Sequence, residues 1–124
     1  MTINDIVKAL NCIVLTGEKH LNDQVDTACG SDLMSDVLAF VKDKTVLITG
    51  LINPHVVRTA EMLDISCIVF SRGKIPGQEI LDMADEVGIT VLSTKFTTYT
   101  CCGELYMRGL PGTKEKREQE RSMC

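Results

Sequence analysis

Thr45-Val46-Leu47-Ile48-Thr49-Gly50 is an apolar run that closes in a small polar loop. The same pattern returns as Cys67-Ile68-Val69-Phe70-Ser71-Arg72-Gly73 and as Thr90-Val91-Leu92-Ser93-Thr94-Lys95. None of the three alternates apolar with polar residues, so each reads as a strand buried on both faces. Strands of that kind belong to parallel sheets crossed over by helices. The segments between them carry helical periodicity. Asn53-Pro54 is a cap followed by Pro at the first helical position, and Val56, Val57, Ala60 and Leu63 form the stripe behind it. A second crossover helix is expected after Pro76, with Ile80, Leu81, Ala84 and Val87 facing the core and Gly88 ending it.

Working outward, residues 3–10 read as a helix that Thr2 and Asp5 start as a capping box and Asn11 ends. Strands are expected near residues 12–16 and 25–29, joined by a polar turn. Gly30-Ser31-Asp32 is expected to open a helix to about Val41, with Leu33, Met34, Val37, Leu38 and Val41 inward. A last helix over residues 98–108 would place Tyr99, Cys102, Leu105 and Tyr106 on one side. The fold class is therefore α/β, a three-layer domain with a mainly parallel central sheet. The strands at 45–50, 67–70 and 90–93 form its middle, and the two earlier ones extend it or pair at an edge. Residues 1–110 make one domain, and residues 111–124 a charged, flexible tail without an apolar face.

The 124 residues carry a net charge of -4, and the last twelve hold four basic and three acidic side chains, so the body is more acidic still. A basic face for nucleic acid is not expected. No apolar run approaches the roughly 20 residues of a membrane span, and the start of the chain lacks a secretory apolar segment, so the expected location is cytoplasmic. The six cysteines include no Cys-x-x-Cys and no neighbouring His, which argues against a zinc or iron–sulfur site. Cys12 and Cys67, at strand starts, read as small core residues.

Ligands of parallel α/β sheets collect at the carboxyl ends of the strands. Four loops meet that edge here, and Ser31, Asp32, Asn53, Arg72, Lys74, Ser93 and Thr94 are its candidate binding residues. Free N–H groups at helix starts together with Arg72, Lys74 and Lys95 suit a phosphate, a nucleotide or a carboxylate. The competing reading makes Ser31, Asn53 and Thr97 or Thr98 plain caps and the lysines solvated. His55 reads as a first-turn surface residue and His20 as an exposed one. Asp32 and Asp36, four apart, read as capping charge, with a Mg²⁺ pair as the alternative. Adjacent Cys101 and Cys102 point about 100° apart on a helix, so one faces the core and the other is open to redox or interface roles.

The chain resembles the DRTGG domain family, and its small stand-alone members above all. The resemblance rests on Ile6-Val7-x-x-Leu10, Val14-Leu15-Thr16-Gly17, Ser31-Asp32-Leu33-Met34-Ser35-Asp36-Val37, the three strand–loop units, and Leu92-Ser93-Thr94 with Gly103-Glu104-Leu105-Tyr106. Related domains occur in phosphate acetyltransferases, beside CBS domains in regulated pyrophosphatases, and at the N-terminus of HPr kinase/phosphorylase. The family's eponymous string is absent. Gly50-Leu51-Ile52-Asn53 lacks the Asp-Arg of the acetyltransferase version, and Ser71-Arg72-Gly73 stands where others have Thr-Gly-Gly. The resemblance implies the fold of the HPr kinase N-terminal domain, a homodimer, and a regulatory module acting through a protein partner in a regulated enzyme system.

Neither Gly-x-x-x-x-Gly-Lys-Ser/Thr nor Gly-x-Ser-x-Gly occurs, so no kinase phosphate loop or hydrolase elbow is available. The expected function is a non-catalytic sensor with no resident cofactor that binds a small anion, such as an adenine nucleotide or a phosphorylated metabolite. The alternatives are a ligand-free dimerisation or interaction module, and a redox or metal-handling protein using Cys101, Cys102 and Cys124.

Overall fold

A computed structural model describes residues 1–41 and 44–112. Five strands form one sheet: β1 (Ile13–Thr16), β2 (Thr27–Gly30), β3 (Thr45–Thr49), β4 (Cys67–Phe70) and β5 (Thr90–Ser93). Their order is β1-β5-β4-β3-β2. β2 to β5 are parallel neighbours, and β1 joins β5 antiparallel with a bulge between Val14 and Thr16. The three strands of the repeated pattern are the middle of the sheet, and the two others are its edges.

The helices are α1 (Ile3–Leu10), α2 (Met34–Phe40), α3 (Pro54–Met62), α4 (Gln78–Glu86) and α5 (Thr98–Met107), with a short 3-10 turn over Glu18–His20. Because β2 to β5 lie side by side in chain order, the crossover helices α2, α3 and α4 share one face. Leu47, Ile68, Phe70 and Val91 point into that layer. Val46, Ile48, Cys67, Val69 and Leu92 point the other way, against α1 and α5. Every residue of the three central strands is thus buried, which is why their sequences show no alternation. No helix among the described residues is long and apolar enough to cross a membrane.

Local chemistry sets the helix ends. Thr2 and Asp5 form the reciprocal capping box at α1, and Asn11 closes it at φ 51°. The Asn53 side chain accepts the His55 N–H at α3, with Pro54 at the first position. Thr97 accepts the Thr100 N–H at α5.

Several expectations need correction. α2 begins at Met34 and not at Ser31: the Ser31 hydroxyl turns back to Leu33 N–H, and Leu33 stays extended at φ -105°, ψ 106°. Leu33 therefore precedes the helix and is exposed, and Leu38 falls on its outer side, while Val37 and Val41 are buried. Asp32 likewise lies before α2, so it shares no helix face with Asp36. Val87 lies past the last turn of α4 and is exposed. On α5 the buried residues are Cys101 and Leu105, one helical turn apart. Tyr99, Tyr106 and Met107 are 87%, 65% and 77% exposed. Finally, Cys12 precedes β1 and is half-buried, whereas Cys67 is fully buried.

At the other sheet edge, Pro111 C=O accepts the Ala28 N–H, and Ala28 and Gly112 form a parallel bridge. Residues 111–112 therefore cover the open side of β2. Of the flexible tail expected over residues 111–124, residues 113–124, with Cys124, lie outside the described residues.

Candidate functional site

The carboxyl ends of β2, β3, β4 and β5 lie on one edge, and each continues into a short loop. After β2, Asp32 reaches sideways to the next strand. One of its oxygens accepts the Thr49 hydroxyl at 2.9 Å and the Gly50 N–H at 2.8 Å. Thr49 in turn accepts the Leu51 N–H at 3.1 Å. Asp32 thus holds the loop after β3 in shape. Its carboxyl is held below the usual value, first by the Gly50 N–H, then by the Thr49 hydroxyl, with Arg72 and Lys74 adding attraction and partial burial opposing them.

The loop after β4 is a tight turn, Ser71-Arg72-Gly73-Lys74, closed by Lys74 N–H to Ser71 C=O at 3.3 Å. Both central residues have positive φ, 61° at Arg72 and 70° at Gly73, the arrangement of a type I′ turn. Asn-Gly or Gly-Gly is the usual choice for such a turn. An arginine in the left-handed region costs about 1–2 kcal/mol. The turn is fixed by Arg72 N–H to Phe96 C=O and Gly73 N–H to Thr94 C=O, both at 2.7 Å. Ser71 Oγ pairs with Thr98 Oγ1 at 2.7 Å, tying the turn to α5.

The Arg72 side chain extends to the loop after β3. A Cβ on Gly50 would lie 2.8 Å from Arg72 Nη2, so the guanidinium rests where only glycine leaves room. Gly50 therefore touches Asp32 through its N–H and Arg72 through its Cα face. Among the described residues no hydrogen-bond acceptor or carboxylate partner reaches that guanidinium.

The seven candidate residues divide into three groups. Asp32 and Arg72 stand around Gly50, with Lys74 close enough to influence Asp32, and Ser31 precedes Asp32 with its hydroxyl turned to Leu33. Asn53 sits at the start of α3 and spends its carbonyl oxygen on the cap. Ser93 and Thr94 are buried, and their hydroxyls donate to Lys74 C=O at 2.7 Å and Leu10 C=O at 2.6 Å. They hold the surrounding loops together. Thr49 and Gly50 were not singled out by the residue pattern. The signal for Gly50 is its place directly after a fully buried strand, opposite a long cation at the end of the neighbouring strand β4.

Beyond the Arg72–Gly73 turn lies a cleft of about 330 Å³, bounded by Ile13, Gly73, Ile75, Thr94, Lys95 and Phe96 among others. His55 is exposed at the first turn of α3, and His20 is half-buried, 3.4 Å from Asp23. No group of three or more His, Cys, Asp or Glu side chains among the described residues could hold a metal ion. All five described cysteines are free. Burial raises their thiols, Cys12 to about 12 and Cys101 to about 11.

No curated protein matches the chain. A solved structure similar to it is the CBS and DRTGG domains of the regulatory region of Clostridium perfringens pyrophosphatase, complexed with its activator diadenosine tetraphosphate. The two share 17% identity at a TM-score of 0.66, over 89% of this chain. The chain spans 47% of that neighbour's length. At that identity the likeness concerns the fold. The family itself is settled by sequence: the DRTGG domain model matches residues 5–106, and the chain belongs to the DRTGG domain family.

Proposed function

We propose that this domain is a non-catalytic regulatory module that binds a small anionic ligand, an adenine nucleotide above others, and passes the binding event to a protein partner. The observation that carries the reading is Arg72. Its backbone is held in the left-handed region, and its guanidinium lies over Gly50 with no acceptor among the described residues. Strained residues persist where the surrounding structure fixes them, and they cluster at ligand-binding sites. Arginine is also the residue best matched to a phosphate, which it grips with two parallel N–H bonds.

Two further features support a nucleotide. Lys74 lies beside Asp32 and adds a second cation. The cleft past Gly73 offers the apolar walls of Ile13, Ile75 and Phe96 to a base. The structural neighbour binds an adenine dinucleotide in a region that also contains a DRTGG domain. A regulatory role agrees with the family.

The test is a thermal-shift screen of nucleotides and phosphorylated metabolites on the wild type and on Arg72→Ala. A ligand that binds only the folded state raises the melting temperature by mass action. The expected result is stabilisation of the wild type and loss of the response in Arg72→Ala. An equal response in both would place the ligand elsewhere.

A second reading has its own observation. Tyr99, Tyr106 and Met107 are exposed on α5, and aromatic residues and Met are enriched in interface cores. We propose this side of α5 as the contact between two copies of the domain. Light scattering at high micromolar concentration should give a dimer; a monomer there would remove the claim.

A further inference from the structure

We propose that Asp32 is the specificity-determining residue of this edge, rejecting bare anions and admitting ligands that carry both an anionic group and a hydrogen-bond donor. The inference rests on the anion-binding reading above and names the chemical class that site takes.

The argument starts from Gly50. Its N–H is bound to Asp32 Oδ1, and its Cα face supports the Arg72 guanidinium. One small residue therefore carries a carboxylate on one side and a cation on the other. The Asp32 carboxylate stays ionised at neutral pH, because a backbone N–H and a hydroxyl already donate to it. Those two bonds occupy a single oxygen. Among the described residues, nothing donates to Oδ2, and the residue is exposed.

A sulfate ion placed against Arg72 would therefore meet a fixed negative charge across Gly50, with no proton to offer it. Like charges at this range weaken binding. A phosphate ester that also carries hydroxyl or amino groups can do both tasks. Its phosphate lies on Arg72 and Lys74, and a hydroxyl or amine donates to Oδ2. A carboxylate accepting from a neutral donor makes the stronger, charge-assisted kind of hydrogen bond. Specificity here comes from a repulsive element as much as from an attractive one. Nucleoside monophosphates have this double character, and sulfate, which carries no proton at neutral pH, does not.

Asp32→Asn separates the two roles. The amide oxygen still accepts from Thr49 and Gly50, so the loop after β3 keeps its shape, while the charge is gone. Calorimetric titration of wild type and Asp32→Asn with sulfate and with AMP gives four affinities. Wild type should bind AMP and hold sulfate at least about tenfold more weakly. In Asp32→Asn, sulfate should gain about three- to tenfold and AMP should lose by a similar factor, so that the preference collapses. An equal change for both probes would overturn the inference and leave Asp32 as a loop-holding residue, with the anion site intact. Failure of both probes to bind the wild type would instead sink the anion-binding reading, and the inference with it. Urea unfolding of Asp32→Asn checks the fold: a midpoint near the wild-type value makes the affinities comparable. If it is much lower, Asp32→Glu is the second variant, which keeps the charge and should retain the AMP preference.

Discussion

The Arg72 guanidinium lies over Gly50, so closely that a Cβ on Gly50 would stand 2.8 Å from Nη2. The contact is made by the flexible end of a long side chain, and Gly50 itself needs no special backbone angle. Gly50→Ala should therefore push the guanidinium aside without unfolding the protein. The stability change should stay within about 1 kcal/mol, since reduced freedom of the unfolded chain offsets the lost contact. The ligand-induced melting shift should shrink. A large loss of stability in urea would mean that the crowding falls on the backbone.

Arg72→Gly separates strain from function. At φ 61° a glycine relieves the left-handed penalty, while it gives the unfolded chain more freedom. The net expectation is a gain of about 0.5–1 kcal/mol, together with loss of anion binding. Urea unfolding at unchanged slope measures the first, and thermal shift the second. The family's glycine at this place is then explained by backbone geometry, and the arginine by ligand chemistry. A destabilised Arg72→Gly would show that the guanidinium contributes to the fold.

Acid should weaken the domain by a defined route. Asp32 and Asp5 both have folded-state pKa values below their ordinary 3.8. A depressed carboxylate stabilises the fold above its unfolded pKa, and that contribution is lost as pH falls through the folded value. Stability should change little between pH 7 and about pH 5 on account of these groups, then drop below about pH 4. Asp32→Asn should flatten part of that drop. Chemical denaturation repeated across pH reads it directly, and an identical acid profile in Asp32→Asn would contradict the assignment.

The buried thiols should be slow nucleophiles. Cys101 is raised to about 11 from 9.0, by burial first and its Cys102 neighbour second. Two units mean about 100-fold less thiolate at pH 8, and the thiolate is the reactive form. In a Cys124→Ser background, alkylation of the native protein should therefore lag far behind that of the unfolded chain. Rapid labelling of Cys101 or Cys102 would revive the redox reading.

The two sides of α5 should respond differently. Leu105 is fully buried against Val46, Ile48 and their layer, so Leu105→Ala should cost about 2–5 kcal/mol. Tyr106→Ala should cost under about 0.5 kcal/mol in the isolated domain, and more under conditions where copies associate. Concentration-dependent melting distinguishes the two cases.

The parallel centre of the sheet was legible because burial on both faces leaves an unmistakable trace in Val46-Leu47-Ile48 and its two repeats. Caps at Thr2, Asn53 and Thr97 were legible for the same reason, since each is local. The start of α2 was not. Whether Ser31 and Asp32 cap a helix depends on where their oxygens go, and Asp32 goes to Thr49 and Gly50, seventeen and eighteen residues away. The phase of α5 is not legible either, because Tyr and Cys carry ambiguous hydrophobicity and packing against the sheet selects Cys101 and Leu105. Ser93 and Thr94 looked available in sequence, but their hydroxyls are engaged by backbone carbonyls from distant loops. The meeting of Arg72 with Gly50 is a cross-strand contact with no sequence signature beyond its two residue types.

The most direct measurement is a ¹H–¹⁵N correlation titration of the domain with AMP. The account predicts saturable shifts at the amides of residues 30–33, 50–53 and 71–74, centred on Gly50 and Arg72. The exposed side of α5, at Tyr99 and Tyr106, should not move. No saturable shift at millimolar AMP, or shifts confined to α5, would contradict an anion site at the carboxyl edge of the sheet.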